Sequence, residues 1–165
     1  MNNITKHIQE IIQKYSENAC ALSDQLMQDG ILDIYIQEAR SVINSSYDEL
    51  SGISFDTDEG KEQITGLLSY LGCTIIEYSF TLKLIITSRN QKTVILSWDS
   101  NRVHFPVEGP LQIYDVSKGI LFIIADYIME IAERHSSSLQ YNPMLNMFLR
   151  ESIREIVLEK EKKES

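Results

Sequence analysis

The stretch CTIIEYSFTLKLIIT, residues 73–87, changes the hydrophobic period of the chain from that of helices to that of strands. From Ile76 to Ile86 every second residue is apolar and those between are polar except Ile85, which is the two-residue period of a strand with one face in water. Shorter alternating runs follow at residues 94–98 and 103–107, separated by polar turns. The pattern predicts a three-stranded antiparallel meander over about residues 73–107.

Helical periodicity precedes the meander. Apolar residues from Ile4 to Leu26 recur at steps of three and four, and Asn2 or Asn3 can cap this first helix. A second helix is expected from residue 31 to residue 43, because the sequence Asn-Ser-Ser at 44–46 favours a break and residues 47–58 are typical of an acidic loop. A third helix, capped by Asp56, Thr57 or Asp58, should end near Gly72.

Helical periodicity returns after the meander. Residues 116–134 are apolar on most sides, with one narrow polar stripe of Asp126, Glu130 and Glu133, so this helix is expected to be central. Asn142 can cap a last helix that begins at Pro143 and turns one apolar face, including Phe148, inward. Together these elements predict one α+β domain over residues 1–165, with residues 159–165 as a frayed charged tail.

Composition places the chain among globular proteins. Its 165 residues are 43% hydrophobic and 24% charged, which suffices for a core and excludes a disordered class. The N-terminus lacks the pattern of a secretory signal, and the longest apolar run, residues 120–125, is too short to span a membrane. Cys20 and Cys73 are too far apart in sequence to indicate a disulfide scaffold or a zinc site. These features predict a cytoplasmic protein without membrane contact.

Negative charge is concentrated in one part of the sequence. Between Lys14 and Lys61 there are ten acidic side chains and one basic one, Arg40, and ten minus one gives the same net charge of −9 as the whole chain. A field of this sign attracts basic partners and repels nucleic acid. The candidate partner-binding residues are Asp33, Glu38, Asp48, Glu49, Asp56, Asp58 and Glu59. The alternative interpretation is a solvated acidic face that promotes solubility.

No motif indicates a metal, a cofactor or a catalytic centre. A calcium loop starting at Asp56 would have Lys61 in place of its glycine and Leu67 in place of its glutamate. The three histidines, His7, His104 and His135, lack the short spacings of metal ligands. We therefore expect no metal and no cofactor.

Three functions remain open from the sequence. The first is a non-enzymatic interaction protein (an immunity protein, antitoxin, inhibitor or chaperone) that binds a basic protein. The second is a structural subunit of a larger assembly or of a homo-oligomer. The third, less favoured, is an enzyme with a dispersed site near Arg102 and His104 on the third predicted strand.

Overall fold

The computed structural model describes residues 3–54, 57–78, 81–86, 92–97, 102–105 and 112–164; side chains are described there except for residues 20, 75–115 and 161–164. Most of the described chain is helical. The helices are α1 (Ile4–Asp24), α2 (Ile31–Leu50), α3 (Asp58–Tyr70), α4 (Val116–His135), α5 (Ser137–Tyr141) and α6 (Pro143–Glu164).

Five short strands lie between α3 and α4. They are β1 (Cys73–Tyr78), β2 (Thr81–Ile86), β3 (Lys92–Ser97), β4 (Arg102–Phe105) and β5 (Gln112–Asp115), and each pairs antiparallel with the next in chain order. The predicted α+β domain around a three-stranded meander is therefore wrong. The described chain is mainly helical, its strands number five, and Cys73 is the single strand residue in the buried core among the described side chains.

The strand prediction failed because one alternating run contains two strands. Cys73 pairs with Ile86 and Tyr78 with Leu82, so the stretch expected to form one strand folds back on itself. No glycine, proline or asparagine between Tyr78 and Thr81 signals this reversal. The four residues of β5 are too few to show a period. Of the predicted polar turn at residues 88–92, Lys92 begins β3, and the rest lies outside the described residues, as do the predicted turn at 99–101 and Pro106.

Helix α2 is longer than predicted. It continues through Asn44, Ser45 and Ser46 to Leu50, so the expected break and the first part of the expected acidic loop are helical. Its buried face runs without interruption from Tyr35 to Leu50, and Ser46 within it is fully buried. Packing of this face outweighs the weak helix propensity of the three polar residues.

Three predicted helix caps are confirmed. Asn3 Oδ1 accepts the Lys6 N–H at 3.0 Å, and Thr57 Oγ1 accepts the Gly60 N–H at 3.0 Å. Asn142 Oδ1 accepts the Leu145 N–H at 3.1 Å at the start of α6. Each bond satisfies an N–H that the first turn of a helix leaves without a partner. At its other end α6 is helical to Glu164, through most of the segment predicted as a frayed tail.

Helices α1, α2, α4 and α6 pack around one core, and their side-chain pairs give their directions. The hydroxyls of Tyr15 and Tyr35 lie 2.6 Å apart and His7 contacts Glu49, so α1 and α2 are antiparallel. The Arg154 guanidinium lies over the Phe122 ring, and Asn146 Nδ2 donates to Glu133 at 2.8 Å. Helices α4 and α6 are therefore antiparallel as well.

The last turns of α6 show how the two helix pairs fit together. Glu159 pairs with Arg40 at 2.8 Å, and the Lys160 ammonium lies 5.4 Å from the centre of the Tyr47 ring. The C-terminal part of α6 thus lies beside the second half of α2, and α4 begins at that end. At the opposite end, called here the turn end, the α1–α2 turn lies near α5 and the start of α6. The contact of α1 with α5 agrees with this arrangement.

None of the described helices combines the length and the apolar character that a membrane span requires.

Candidate interaction surface

The predicted partner-binding acids do not form one cluster. Asp33 and Asp48 are exposed on α2, fifteen residues apart, which is roughly 22 Å along a helix. Glu38 and Glu49 are half-buried. The structure therefore distributes these acids along the whole of α2, with Asp33 at the turn end and Asp48 at the opposite end.

Glu49 is already occupied by a contact within the protein. Its Oε2 atom lies 3.0 Å from His7 Nδ1 across the α1–α2 interface. His7, Glu10, Ile11, Lys14 and Glu49 line an open surface groove of about 350 Å³. The groove has charges of both signs, so it does not continue the acidic surface.

The acids at the start of α3 have a local structural role. Asp58 and Glu59 occupy the first turn, after the cap residue Thr57. Carboxylates in this position stabilise a helix because they face the positive end of its dipole. Asp56, the remaining predicted acid, lies outside the described residues.

A surface that the sequence did not reveal lies at the turn end. Tyr141 and Met144 are each 82% exposed, Met147 is 65% exposed and Phe148 is 53% exposed. We call these four residues the α6 stripe, because Met144, Met147 and Phe148 lie at helical spacing on α6 and Tyr141 ends α5 just before it. The prediction that Phe148 faces the core is wrong, since Leu149 beside it is the fully buried residue.

Two further exposed apolar residues lie at the same end. Met27, in the α1–α2 turn, is 69% exposed, and Ile34, in the first turn of α2, is 49% exposed. Tyr141 and Phe148 alone present roughly 270 Å² if a whole aromatic side chain has about 200 Å². Contiguous apolar surfaces beyond a few hundred Å² are uncommon on monomers and mark interaction sites.

Acidic side chains border this end. Asp24, Asp29 and Asp33 are exposed in and around the α1–α2 turn, and Glu151 is exposed one turn after the α6 stripe. The bases that α4 contributes here are Arg134 and His135, both exposed in its last turn. The described charges at the turn end are therefore predominantly negative.

A buried polar network anchors α6 to α4 behind the stripe. The Glu133 side chain is 4% exposed and accepts hydrogen bonds from Arg150 and from Asn146. Arg150 also lies 3.9 Å from Asp126. The polar stripe predicted on α4 thus lies beside α6, with Glu133 buried and Asp126 and Glu130 half-buried.

Burial also affects the remaining acid of that stripe. It raises the pKa of the Glu130 carboxyl above its ordinary value, although the neighbouring Arg134 guanidinium opposes the rise. The network fixes α6 in rotation, and so fixes which of its residues point outward.

Within the described side chains, the groups with strongly raised pKa values are not activated nucleophiles. Burial raises the pKa of the Cys73 thiol to about 12, and burial together with Tyr127 raises that of the Tyr70 hydroxyl to about 12. Both groups are therefore neutral near pH 7. No group of three or more potential metal ligands occurs among the described residues.

The alternative enzyme site lies on β4. The backbone of Arg102 pairs with that of Asp115, and the backbone of His104 pairs with that of Ile113. The side chains of Arg102 and His104 lie outside those described, so this site stays a prediction.

The chain shows no significant similarity to any protein-family model, curated protein or solved structure with which it was compared. The narrower classes suggested by the sequence, namely immunity protein, antitoxin, inhibitor and chaperone, therefore have no support and are withdrawn. What remains is the geometry of the turn end.

Proposed function

We propose that this chain is a non-catalytic interaction protein that binds a basic partner protein through its turn end. The observation that carries the proposal is the coincidence of the exposed α6 stripe with the acids Asp24, Asp29, Asp33 and Glu151 at one end of the bundle. Large apolar side chains exposed beside negative charges are complementary to a partner surface that has apolar and basic groups side by side.

The two parts of the surface have different roles in binding. The acids raise the association rate of a basic partner at low salt, because opposite charges steer the encounter. Burial of the methionine and aromatic side chains slows dissociation, because apolar contact at the centre of an interface supplies most of its affinity. Asp48 lies at the far end. Asp58 and Glu59 do so too, because Gln63 of α3 bonds to Ile4 at the start of α1. These three acids contribute to the long-range field only.

Site-specific crosslinking tests the proposal. A photoreactive amino acid replaces Met147 in one variant and Glu62 in a control variant, since Glu62 is exposed on α3. After irradiation in an extract of native cells, a basic protein should be crosslinked through position 147 and not through position 62. Binding of that purified protein should then weaken as salt rises. Equal crosslinking from both positions would contradict the proposal.

A second candidate, favoured by the same exposed stripe, is a structural subunit of a larger assembly. A subunit remains bound through purification at high salt, whereas a partner recruited by charge dissociates. The protein and the partner identified by crosslinking are therefore purified together without irradiation and washed in high salt. Co-elution would indicate a subunit, and separation would indicate a partner recruited by charge. A cytoplasmic location belongs to the proposal and is supported by the free thiol of Cys73.

A further inference from the structure

We infer that the turn end binds an amphipathic, basic helix of the partner, laid along the outer face of α6. This inference rests on the proposed function and names the partner's binding element. Its apolar residues would cover the α6 stripe, and its lysines or arginines would meet Glu151 and Glu155.

The outer face of α6 has two halves. Met144 and Phe148 are exposed in its first two turns, and Glu151 and Glu155 are exposed in the next two. These four residues follow at steps of three and four, so they lie along one line of the helix surface. A partner helix with the same spacing can pair apolar with apolar and base with acid over about four turns.

Among the side chains that the structure describes, three bases of α6 bind groups other than Glu151 and Glu155. Arg150 bonds to Glu133, the Arg154 guanidinium lies over the Phe122 ring and Lys160 lies over the Tyr47 ring. All three cations are therefore held against α4 or α2. Glu151 and Glu155 remain on the exposed side, available to cations of a partner.

Methionine content favours a helix as the occupant. Met144 and Met147 lie in the α6 stripe, and Met27 is exposed at the same end. Methionine side chains are unbranched and polarizable, so they fit apolar residues of varied shape, as in surfaces that bind amphipathic helices. Because the Glu133 network holds α6 against α4, the backbone beneath this adaptable surface is fixed.

Charge argues against a second copy of the chain as the occupant. Each chain has a formal charge of −9. Contact between two turn ends would bring Asp24, Asp29 and Asp33 of both copies near one another, and like charges at an interface oppose association.

A fluorescein-labelled model peptide provides the probe. It consists of leucine and lysine in an amphipathic pattern of about 18 residues, which is five helical turns. Two control peptides are used. The first has the same composition in a rearranged order that gives no apolar face, and the second has glutamate in place of every lysine. Fluorescence anisotropy should show binding of the first peptide alone, and circular dichroism should show that it becomes helical when bound.

Paired variants locate the binding site. Met144→Ser with Met147→Ser should weaken binding about tenfold or more, the effect of losing residues at the centre of an interface. Glu151→Lys with Glu155→Lys should weaken binding and reduce its dependence on salt. Glu17→Lys with Glu62→Lys is the charge-matched control, because both acids are exposed elsewhere, and it should bind within about twofold of the unchanged chain. All changed positions are exposed, so unaltered melting curves verify the fold.

Several outcomes would overturn the inference. One is equal affinity for the amphipathic and the rearranged peptide. Another is peptide affinity that Met144→Ser with Met147→Ser leaves unchanged. A third is a concentration-dependent dimer of the unchanged chain that this double variant no longer forms. If the peptide fails but the crosslinked partner still depends on Met144 and Met147, the helical occupant is wrong while the proposed function stands. If crosslinking through position 147 also fails, the proposed function fails with it.

Discussion

Replacing Arg150 by methionine should destabilise the protein by about 3 kcal/mol, because it leaves the Glu133 carboxylate buried without its cation. Glu133 is 3% exposed, and its Arg150 partner crosses from α6 to α4. Removal of one partner of a buried ion pair costs about 3–5 kcal/mol. The lower value applies here because Asn146 still donates to Glu133 at 2.8 Å and the Arg150 side chain is 32% exposed.

The opposite change should cost less. In Glu133→Gln the amide oxygen still accepts a hydrogen bond from Asn146. Arg150 is still paired with Asp126 at 3.9 Å and is still partly exposed to solvent. We expect about 1–2 kcal/mol, the cost of weakening one charged hydrogen bond. The double variant with leucine at 133 and methionine at 150 should recover most of the loss, since an apolar pair replaces an ionic one at little cost.

Urea unfolding followed by circular dichroism measures all three free energies of unfolding, with Arg154→Met as a control cation on the same helix. Equal losses for the two single variants, or a loss below about 1 kcal/mol for Arg150→Met, would refute the view that Glu133 is the buried and dependent partner. The peptide affinity of Arg150→Met should fall as well, because α6 is then less firmly fixed.

Three other expectations follow from particular positions. Replacing Ile124, which is fully buried on α4, by alanine should lower the free energy of unfolding by about 2–5 kcal/mol. Gly60→Ala should destabilise the protein, although alanine normally favours a helix by about 0.5–1 kcal/mol, because its Cβ would collide with the backbone carbonyl of Ser54. Cys73 should resist alkylation at pH 8 in the folded chain, because its pKa of about 12 keeps the thiol protonated there, and should react once the chain is unfolded.

Each of these has a direct measurement. Chemical denaturation reports the first two, and an unchanged midpoint for Ile124→Ala or a raised one for Gly60→Ala would contradict the packing described. Mass spectrometry of the peptide that contains Cys73 reports the third separately from Cys20. Rapid labelling of Cys73 in the native protein would show that the thiol is neither buried nor protonated.

Local features of the fold could be predicted because they depend on neighbours within a few residues. Asn3, Thr57 and Asn142 cap helices as expected, since a side-chain oxygen reaches the N–H three positions later whatever the rest of the chain does. The long helix α4 followed from its apolar length alone.

Features that depend on which surfaces are covered could not be predicted. The sequence showed a narrow polar stripe on α4 but not what lies against it, which is α6, with Arg150 paired to Glu133. Phe148 and Leu149 were both expected in the core, but the rotation of α6 buries Leu149 and leaves Phe148 53% exposed. In both cases the helix pattern was visible and its facing partner was not.

The sequence by itself determined where most helices begin, that one segment has the period of strands, and that acidic residues dominate residues 15–60. Tertiary structure alone decided that the helical segment 31–50 continues through three weak helix formers, that residues 73–86 pair as two strands, and that the α6 stripe lies at the same end as Asp24, Asp29 and Asp33. Caps and periods arise from contacts between near neighbours in the chain, whereas burial and the meeting of distant surfaces depend on the packing of the whole molecule.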